Sequence, residues 1–199
     1  MFTQSPSATT ADTPPASADA AAPAPRSKPH PPRVAGWLTV DTPDGPFTVV
    51  TDTPDEGAAV LASGWTTEPE YLLTLVHRSL RPYDLEETSA PPIADAVGAY
   101  YQDDFDVVTA IPVIQRGGPF IQRAWAALRT LRPGHPVSYT ELAVLTGDGA
   151  AIRAAASACA RNAASLFVPC HRVRRGDGTL GGYRYGLDLK AALLEREAS

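Results

Sequence analysis

Residues 138–162 constrain this chain more than any other stretch. Ser138-Tyr139-Thr140-Glu141 is a capping box, in which the serine side chain and the glutamate three residues on satisfy helix-start amides reciprocally. It opens a helix on which Leu142 and Leu145 are expected to face inward. Gly147 suits a left-handed stop, and Gly147-Asp148-Gly149 makes a short turn. A further helix is expected from Ala150 to Asn162. Two helices joined by a glycine-containing turn of about three residues form a helix-turn-helix. The second of them is nearly all small side chains, plus Arg153 and Arg161. Arg153, Ala156 and Ala160 share one face at helical spacing, and a narrow face bearing one arginine suits a tight groove. The same alanines suit close helix packing, and the helix alone does not separate the two readings.

The surrounding chain divides into three. Residues 1–32 hold eight Pro and eight Ala with almost no large apolar side chains, so 1–34 is expected to be a disordered tail. Residues 35–114 read as a small α+β domain. Trp37 to Val40, Phe47 to Val50 and Ala58 to Ala62 are β-prone runs parted by turn residues, which predicts a three-stranded antiparallel meander. Glu70 to Leu80 and Ile93 to Tyr101 carry helical spacing, and Phe105 to Val113 returns to a strand-like run. Nothing in this part looks catalytic, and His77 reads as a solvated surface side chain. From Gly117-Gly118-Pro119, with proline well placed at a first helical position, a helix is expected to about Leu131. The expected fold class is α+β: a small antiparallel sheet with helices, then a mostly helical C-terminal domain over 115–199 with the helix-turn-helix and an active-site loop.

Charge follows the same division. The whole chain carries a formal net charge of −5, which argues against an anionic partner. Residues 1–114 hold 5 Lys+Arg against 16 Asp+Glu, while 115–199 hold 12 against 6, so −11 and +6 sum to −5. A basic C-terminal half keeps nucleic acid open as a partner. No apolar run approaches the roughly 20 residues of a membrane span, and the start lacks the pattern of a secretory signal. Two cysteines and four scattered histidines make neither a disulfide framework nor a zinc site. A reducing cytoplasm is the expected location, with no metal and no cofactor.

The chemistry lies in Leu166-Phe167-Val168-Pro169-Cys170-His171-Arg172-Val173. The apolar run 166–168 is expected to be buried and to deliver Cys170 and His171 at its end. A thiol reacts as the thiolate, and a basic environment lowers its pKa. His171, Arg172, Arg174 and Arg175 supply such an environment. Cys159, on the alanine-rich helix, reads as buried and inert.

Val168-Pro169-Cys170-His171-Arg172-Val173 resembles the active-site motif of the O6-alkylguanine-DNA alkyltransferases, the methylated-DNA–protein-cysteine methyltransferases. Gly118-Pro119-Phe120 with Trp125, Val137 to Ala143, Arg153, Asn162, Gly181-Gly182-Tyr183 with Gly186-Leu187, and the helix Lys190 to Glu197 stand at that family's spacings. The resemblance is strong over about 117–198 and reaches 37–113 only in element order. It implies repair of O6-alkylguanine, and of O4-alkylthymine, by single-turnover transfer of the alkyl group to Cys170. It implies a monomer on double-stranded DNA, with the damaged base flipped out through the minor groove. By the resemblance Arg153 fills the space the base vacates, and Ala156, Ala160 and Arg161 belong to the DNA-binding helix. Tyr139 assists flipping and protonates the leaving guanine. His171 takes the thiol proton through a water, oriented by Glu197. Asn162 ties the recognition helix to the active-site loop, and Arg172 is structural. Val173, Gly182 and Tyr183 line or border the guanine pocket.

Two departures stand out. The family usually has prolines between the Asn and the Pro-Cys-His-Arg, whereas this chain has Ala163, Ala164 and Ser165, which predicts a less rigid segment. After Tyr183 the family usually has small residues, whereas Arg184 and Tyr185 stand here. Competing readings are a lesion-binding relative without repair, a cysteine hydrolase and a plain helix-turn-helix regulator. Cys170 argues against the first, adjacent Cys and His suit the second poorly, and the third leaves Pro-Cys-His-Arg without a purpose.

Overall fold

The computed structural model describes residues 34–55 and 57–198. The tail expected over 1–34 lies outside the described residues except for Val34, which opens a strand. β1 (Val34–Thr42) and β2 (Gly45–Thr51) form an antiparallel hairpin with Trp37 opposite Val50 and Thr42 opposite Gly45. Gly45 closes the turn at a φ of 105°, a left-handed conformation that glycine adopts without strain. β3 (Val60–Trp65) continues the antiparallel pairing on β2. The meander is thus present, with its third strand displaced toward Trp65.

The sheet has a fourth strand that the meander reading lacks. β4 (Asp84–Glu87) pairs parallel with β1, so the order is β3-β2-β1-β4 and the sheet is mixed. Its sequence, Asp-Leu-Glu-Glu, has no apolar alternation because this edge strand is mostly exposed and joins through backbone pairing, with only Leu85 packed against the core. α1 (Pro69–Leu75) is shorter than the helical spacing predicts, since Val76 turns to an extended conformation. Leu80 still reaches the core, and His77 is exposed just beyond the helix. α2 (Pro91–Tyr100) is where the spacing places it. The strand expected over Phe105 to Val113 is instead a short helix, α3 (Val107–Ala110), which buries Val108. Only its end pairs with the sheet, through Val60 N to Pro112 O at 2.8 Å and Ile114 N to Val60 O at 2.9 Å. Packing of Val108 overrides the β preference of the local run.

α4 (Pro119–Leu128) buries Ile121, Ala124, Trp125 and Leu128. β5 (Val137–Ser138) leads into α5 (Tyr139–Leu145), whose capping box is formed. Glu141 N donates to Ser138 Oγ at 3.1 Å, and Ser138 N donates to the Glu141 carboxylate at 2.6 Å. Leu142 is fully buried, but Leu145 is exposed, contrary to the inward stripe expected of it. The buried stripe of this short helix runs Leu142, Ala143, Thr146, one step round from Leu145. α6 (Ile152–Ala160) follows a turn in which Gly147 has a φ of 92°. It packs Ala155 and Ala158 inward, with Trp125 Nε1 donating to Ala158 O at 2.9 Å. After a 3-10 turn over Cys170–Arg172, β6 (Val173–Arg174) pairs parallel with β5, and α7 (Leu187–Arg196) closes the chain.

One apolar core joins both halves. Phe47, Val49 and Val60 of the sheet, Val97 and Tyr100 of α2, Leu128, Leu142, Phe167 and Leu193 belong to a single buried cluster. The opposite sheet face buries Val50 and Leu61 against Leu72, Val76 and Leu80. Among the described residues no helix is long and apolar enough to cross a membrane.

Candidate active site

The segment between α6 and the 3-10 turn is held from two sides. Leu166, Phe167 and Val168 are buried as expected, with Leu166 at a φ of 73°. Ser63 of β3 bridges the segment: its N donates to Ala163 O at 2.8 Å and its Oγ to Ser165 O at 2.7 Å. Ser165 N returns a bond to Ser63 O at 3.3 Å, Ala163 N donates to Gln115 Oε1 at 2.8 Å, and Ala164 N to Asn162 Oδ1 at 3.1 Å. Prolines have no N–H to give. The three residues that stand in place of prolines each use theirs, so the segment is fastened by hydrogen bonds and is not the looser loop expected.

Cys170 begins the 3-10 turn with its side chain at the base of a cavity of about 340 Å³. Asn162 Nδ2 donates to Cys170 Sγ at 3.2 Å and to Val168 O at 2.7 Å. Burial pushes the thiol above its ordinary pKa, while the Asn162 bond and the charges of Lys190 and Arg184 pull the other way. The resting group is therefore a thiol with thiolate stabilisers already in place.

Behind it lies a buried ionic cluster. Glu197 Oε1 accepts from His171 Nε2 at 2.9 Å, Arg172 Nη2 at 2.8 Å and Tyr100 OH at 3.0 Å. Glu197 Oε2 accepts from Arg172 Nε at 2.8 Å, and Arg172 Nη1 donates to Leu131 O at 2.6 Å. Burial raises the Glu197 carboxyl, but the hydrogen bonds from His171 and Arg172 and the charge of Arg172 outweigh it and hold the group down to about 2. Burial lowers the pKa of His171, which is neutral at pH 7. A neutral imidazole facing an ionised carboxylate through Nε2 must carry its proton there. Nδ1 then bears the lone pair, and that atom is buried without a hydrogen-bond partner among the described residues.

The cavity walls gather other sequence-predicted residues. Tyr139, Ala156, Ala160, Asn162, Gly182 and Tyr183 all border it. Tyr139 is raised in pKa by burial and by both thiols, so its phenol keeps its proton. Gly181, at a φ of 69°, lets the loop pass Tyr139: an added Cβ would stand 3.1 Å from the phenol oxygen. Arg153 is exposed on the outer face of α6, in line with Ala156 and Ala160. Arg161 faces a separate cleft of about 440 Å³, beside Arg116 and His77. Val173 does not line the cavity; it is fully buried in β6, and its carbonyl accepts from Lys190 Nζ at 2.5 Å. Its parallel pairing with Val137 turns the side chain into the core.

Cys159, read from the sequence as buried and inert, is half-buried and lines the cavity, its thiol pushed up by burial. Other site residues escaped the sequence reading. Lys190 is buried, and also donates to Leu180 O at 2.5 Å. The spacing Lys190, Leu193, Glu197 puts two charged residues on one inward helix stripe, a signal available in the sequence. Tyr100 comes from the part that looked free of site residues. Arg184 Nη2 donates to Ala160 O at 2.6 Å, and Tyr185 OH to Ser63 O at 3.2 Å, so both departures after Tyr183 brace the loop. Gly64 makes room for Tyr185, whose hydroxyl would collide with a Cβ there. No group of three or more His, Cys, Asp or Glu among the described residues could hold a metal.

Comparisons with known proteins give relatives in both sequence and structure. The family model for the DNA-binding domain of 6-O-methylguanine DNA methyltransferase matches residues 119–199. The bifunctional transcriptional activator/DNA repair enzyme Ada of Escherichia coli is 53% identical over 93 residues, 47% of this chain but only 26% of that protein. The methylated-DNA–protein-cysteine methyltransferase of Mycobacterium bovis is 34% identical over 166 residues, covering 82% of this chain and 92% of that protein. That of Shigella flexneri is 32% identical over 161 residues, covering 79% and 92%. The crystal structure of the Mycobacterium tuberculosis O6-methylguanine methyltransferase superimposes with a TM-score of 0.63 at 30% identity, covering 82% of this chain and 93% of that one. The same enzyme in complex with DNA gives a TM-score of 0.62 at 30% identity, covering 82% and 92%. With the reactive-cysteine motif in place and nine tenths of the shorter relatives covered, this chain belongs to the methylated-DNA–protein-cysteine methyltransferase family.

Proposed function

We propose that the chain repairs O6-alkylguanine in double-stranded DNA by moving the alkyl group onto its own Cys170, once per molecule. The observation that carries this is Cys170 at the base of an open cavity, with the ionised Glu197 and neutral His171 packed behind it. The resting thiol needs a base, and His171 Nδ1 is the free lone pair of the cluster. Through one water it takes the thiol proton, and the imidazolium so formed is stabilised by Glu197. The thiolate attacks the alkyl carbon, a C–S bond forms and the C–O bond to guanine breaks. Tyr139 supplies a proton to the departing base and so keeps the leaving group neutral.

DNA binding in this reading falls to α6. Arg153 stands clear of the cavity on the same face as Ala156 and Ala160, so it enters the minor groove and holds the place of the flipped base. O4-alkylthymine fits the same chemistry as a second substrate. The protein acts as a monomer in the cytoplasm. A thioether is not reversed by thiol exchange, and Cys159, the other thiol on the cavity wall, is kept protonated by burial, so the reaction consumes the protein.

Incubation with increasing amounts of duplex containing O6-methylguanine tests the stoichiometry. Intact mass should plateau at one added methyl per chain, with guanine restored in equal amount. Several repaired guanines per chain would exclude the single-turnover reading, and tight binding without a mass change would favour a lesion-binding protein.

A further inference from the structure

Gln115 lies in the link between the two halves, outside the span 119–199 that the family model matches. Its backbone is placed by the sheet, because Pro112 O and Ile114 N both bond Val60. From there its side chain spans two neighbours. Oε1 accepts from Ala163 N at 2.8 Å, and Nε2 donates to Asn162 Oδ1 at 3.0 Å. Asn162 Oδ1 also accepts from Ala164 N at 3.1 Å.

The two ends of an asparagine amide are nearly the same size, so the surrounding donors and acceptors decide which way it faces. Here two donors hold the oxygen end. The Nδ2 end is left to point at Val168 O and Cys170 Sγ. A reversed amide would set Oδ1 against that carbonyl and the sulfur, and would set Nδ2 against two N–H groups. The chain of bonds from Ala163 N through Gln115 to Asn162 therefore reads in one direction only.

We propose that Gln115 is a positioning residue for the alkyl-accepting thiol: it locks the Asn162 amide with its N–H end toward Cys170 Sγ, so that a donor awaits the thiolate. This rests on the reading of Cys170 as the acceptor. A merely structural role would have Gln115 fasten Ala163 and nothing more. The two roles separate because a carboxylate in place of the Gln115 amide still accepts from Ala163 N but cannot donate to Asn162.

The test is Gln115→Glu, a change of nearly equal shape, in a Cys159→Ser background so that a single thiol is read. In that variant the carboxylate is set against Asn162 Oδ1, which pushes the amide off its present setting between Ala164 N and Val168 O and weakens its donor to Sγ. The other ionisable groups facing the sulfur among the described residues are Lys190, Arg184, His171, Tyr139, Tyr183 and Tyr185, and the substitution leaves each in place. The measurement is the pH dependence of Cys170 reaction with iodoacetamide and with free O6-benzylguanine. The midpoint should rise by about one pH unit or more, with the rate at neutral pH down about tenfold and recovering at higher pH. If Gln115→Glu does not fold, Gln115→Met keeps the length and removes the donor to Asn162 Oδ1 without adding a charge; Ala164 N still holds that oxygen, so the midpoint should rise by a smaller amount. An unchanged midpoint in a folded variant overturns the proposal, whatever happens to melting temperature. If the midpoint moves but wild-type protein takes no alkyl group from O6-benzylguanine or from methylated duplex, the positioning of the thiol stands and the repair reading fails.

Discussion

The two halves of this molecule relate to their chemistry in opposite ways. The half from residue 115 onward is basic, and its reactive groups are neighbours in sequence: Cys170, His171 and Arg172 sit in one turn. The half before it is acidic, and its described residues do not line the Cys170 cavity. Yet Tyr100 donates to the carboxylate that orients His171, and Ser63 fastens the segment that leads to Cys170. In the proposed reaction one half supplies the reacting groups and the other their alignment. The comparison teaches that a region without a nucleophile or base can still hold the geometry on which both depend.

The sharpest way to break this division is to remove the nucleophile. Cys170→Ala should abolish alkyl transfer while leaving duplex binding in place, as measured by adduct mass and fluorescence anisotropy. Residual transfer would show that Cys159 shares the role. Next in size is Glu197→Gln, which leaves Arg172 buried without its ionic partner at a cost of about 3–5 kcal/mol. Urea unfolding would read it, and a loss below about 1 kcal/mol would contradict the buried cluster. The same group predicts acid sensitivity. Its folded pKa of about 2 lies below the ordinary carboxylate value, so the stability it contributes is complete above about pH 5 and is lost as pH falls toward 2. The integrated effect is on the order of 3 kcal/mol, and Glu197→Gln should flatten that part of the pH–stability curve.

Arg153→Ala sharpens the comparison from the DNA side. It should lower the repair rate on duplex at least about tenfold more than the rate on free O6-benzylguanine, because only the duplex requires flipping. Equal losses on both substrates would remove Arg153 from that role. The smallest expected effect tests the supporting half. Tyr100→Phe removes one of three donors to Glu197 Oε1, a loss of about 1 kcal/mol. It should slow transfer a few-fold without altering duplex affinity. A change in affinity with an unchanged rate would mean that the N-terminal half serves DNA binding instead.

What was legible in the sequence follows the same line. The capping box at Ser138, the stop at Gly147, the small outer face of α6 and the buried run before Cys170 are local patterns, and each appears where it was expected. The features that were missed depend on partners far away in the chain. β4 is recognisable only once β1 is beside it, and Phe105 to Val113 bends into a helix because Val108 has a core to enter. Tyr100 looked like one more apolar-stripe residue because its hydroxyl partner is 97 residues away. The absence of prolines at 163–165 predicts looseness because two of the three amide acceptors, Gln115 for Ala163 and Ser63 for Ser165, lie at the border or in the other half, and only Asn162, for Ala164, is near in sequence. Charge behaved likewise: the total of −5 conceals the basic half that carries the site.

Peptide mapping after reaction with equimolar O6-methylguanine duplex tests the central claim most directly. Trypsin separates the two thiols, since Arg161 lies between Cys159 and Cys170. The account predicts one methyl group on the peptide Asn162 to Arg172, none on the peptide holding Cys159, and guanine restored in the duplex in the same amount. Methyl on the Cys159 peptide, or restored guanine with Cys170 unmodified, would contradict it.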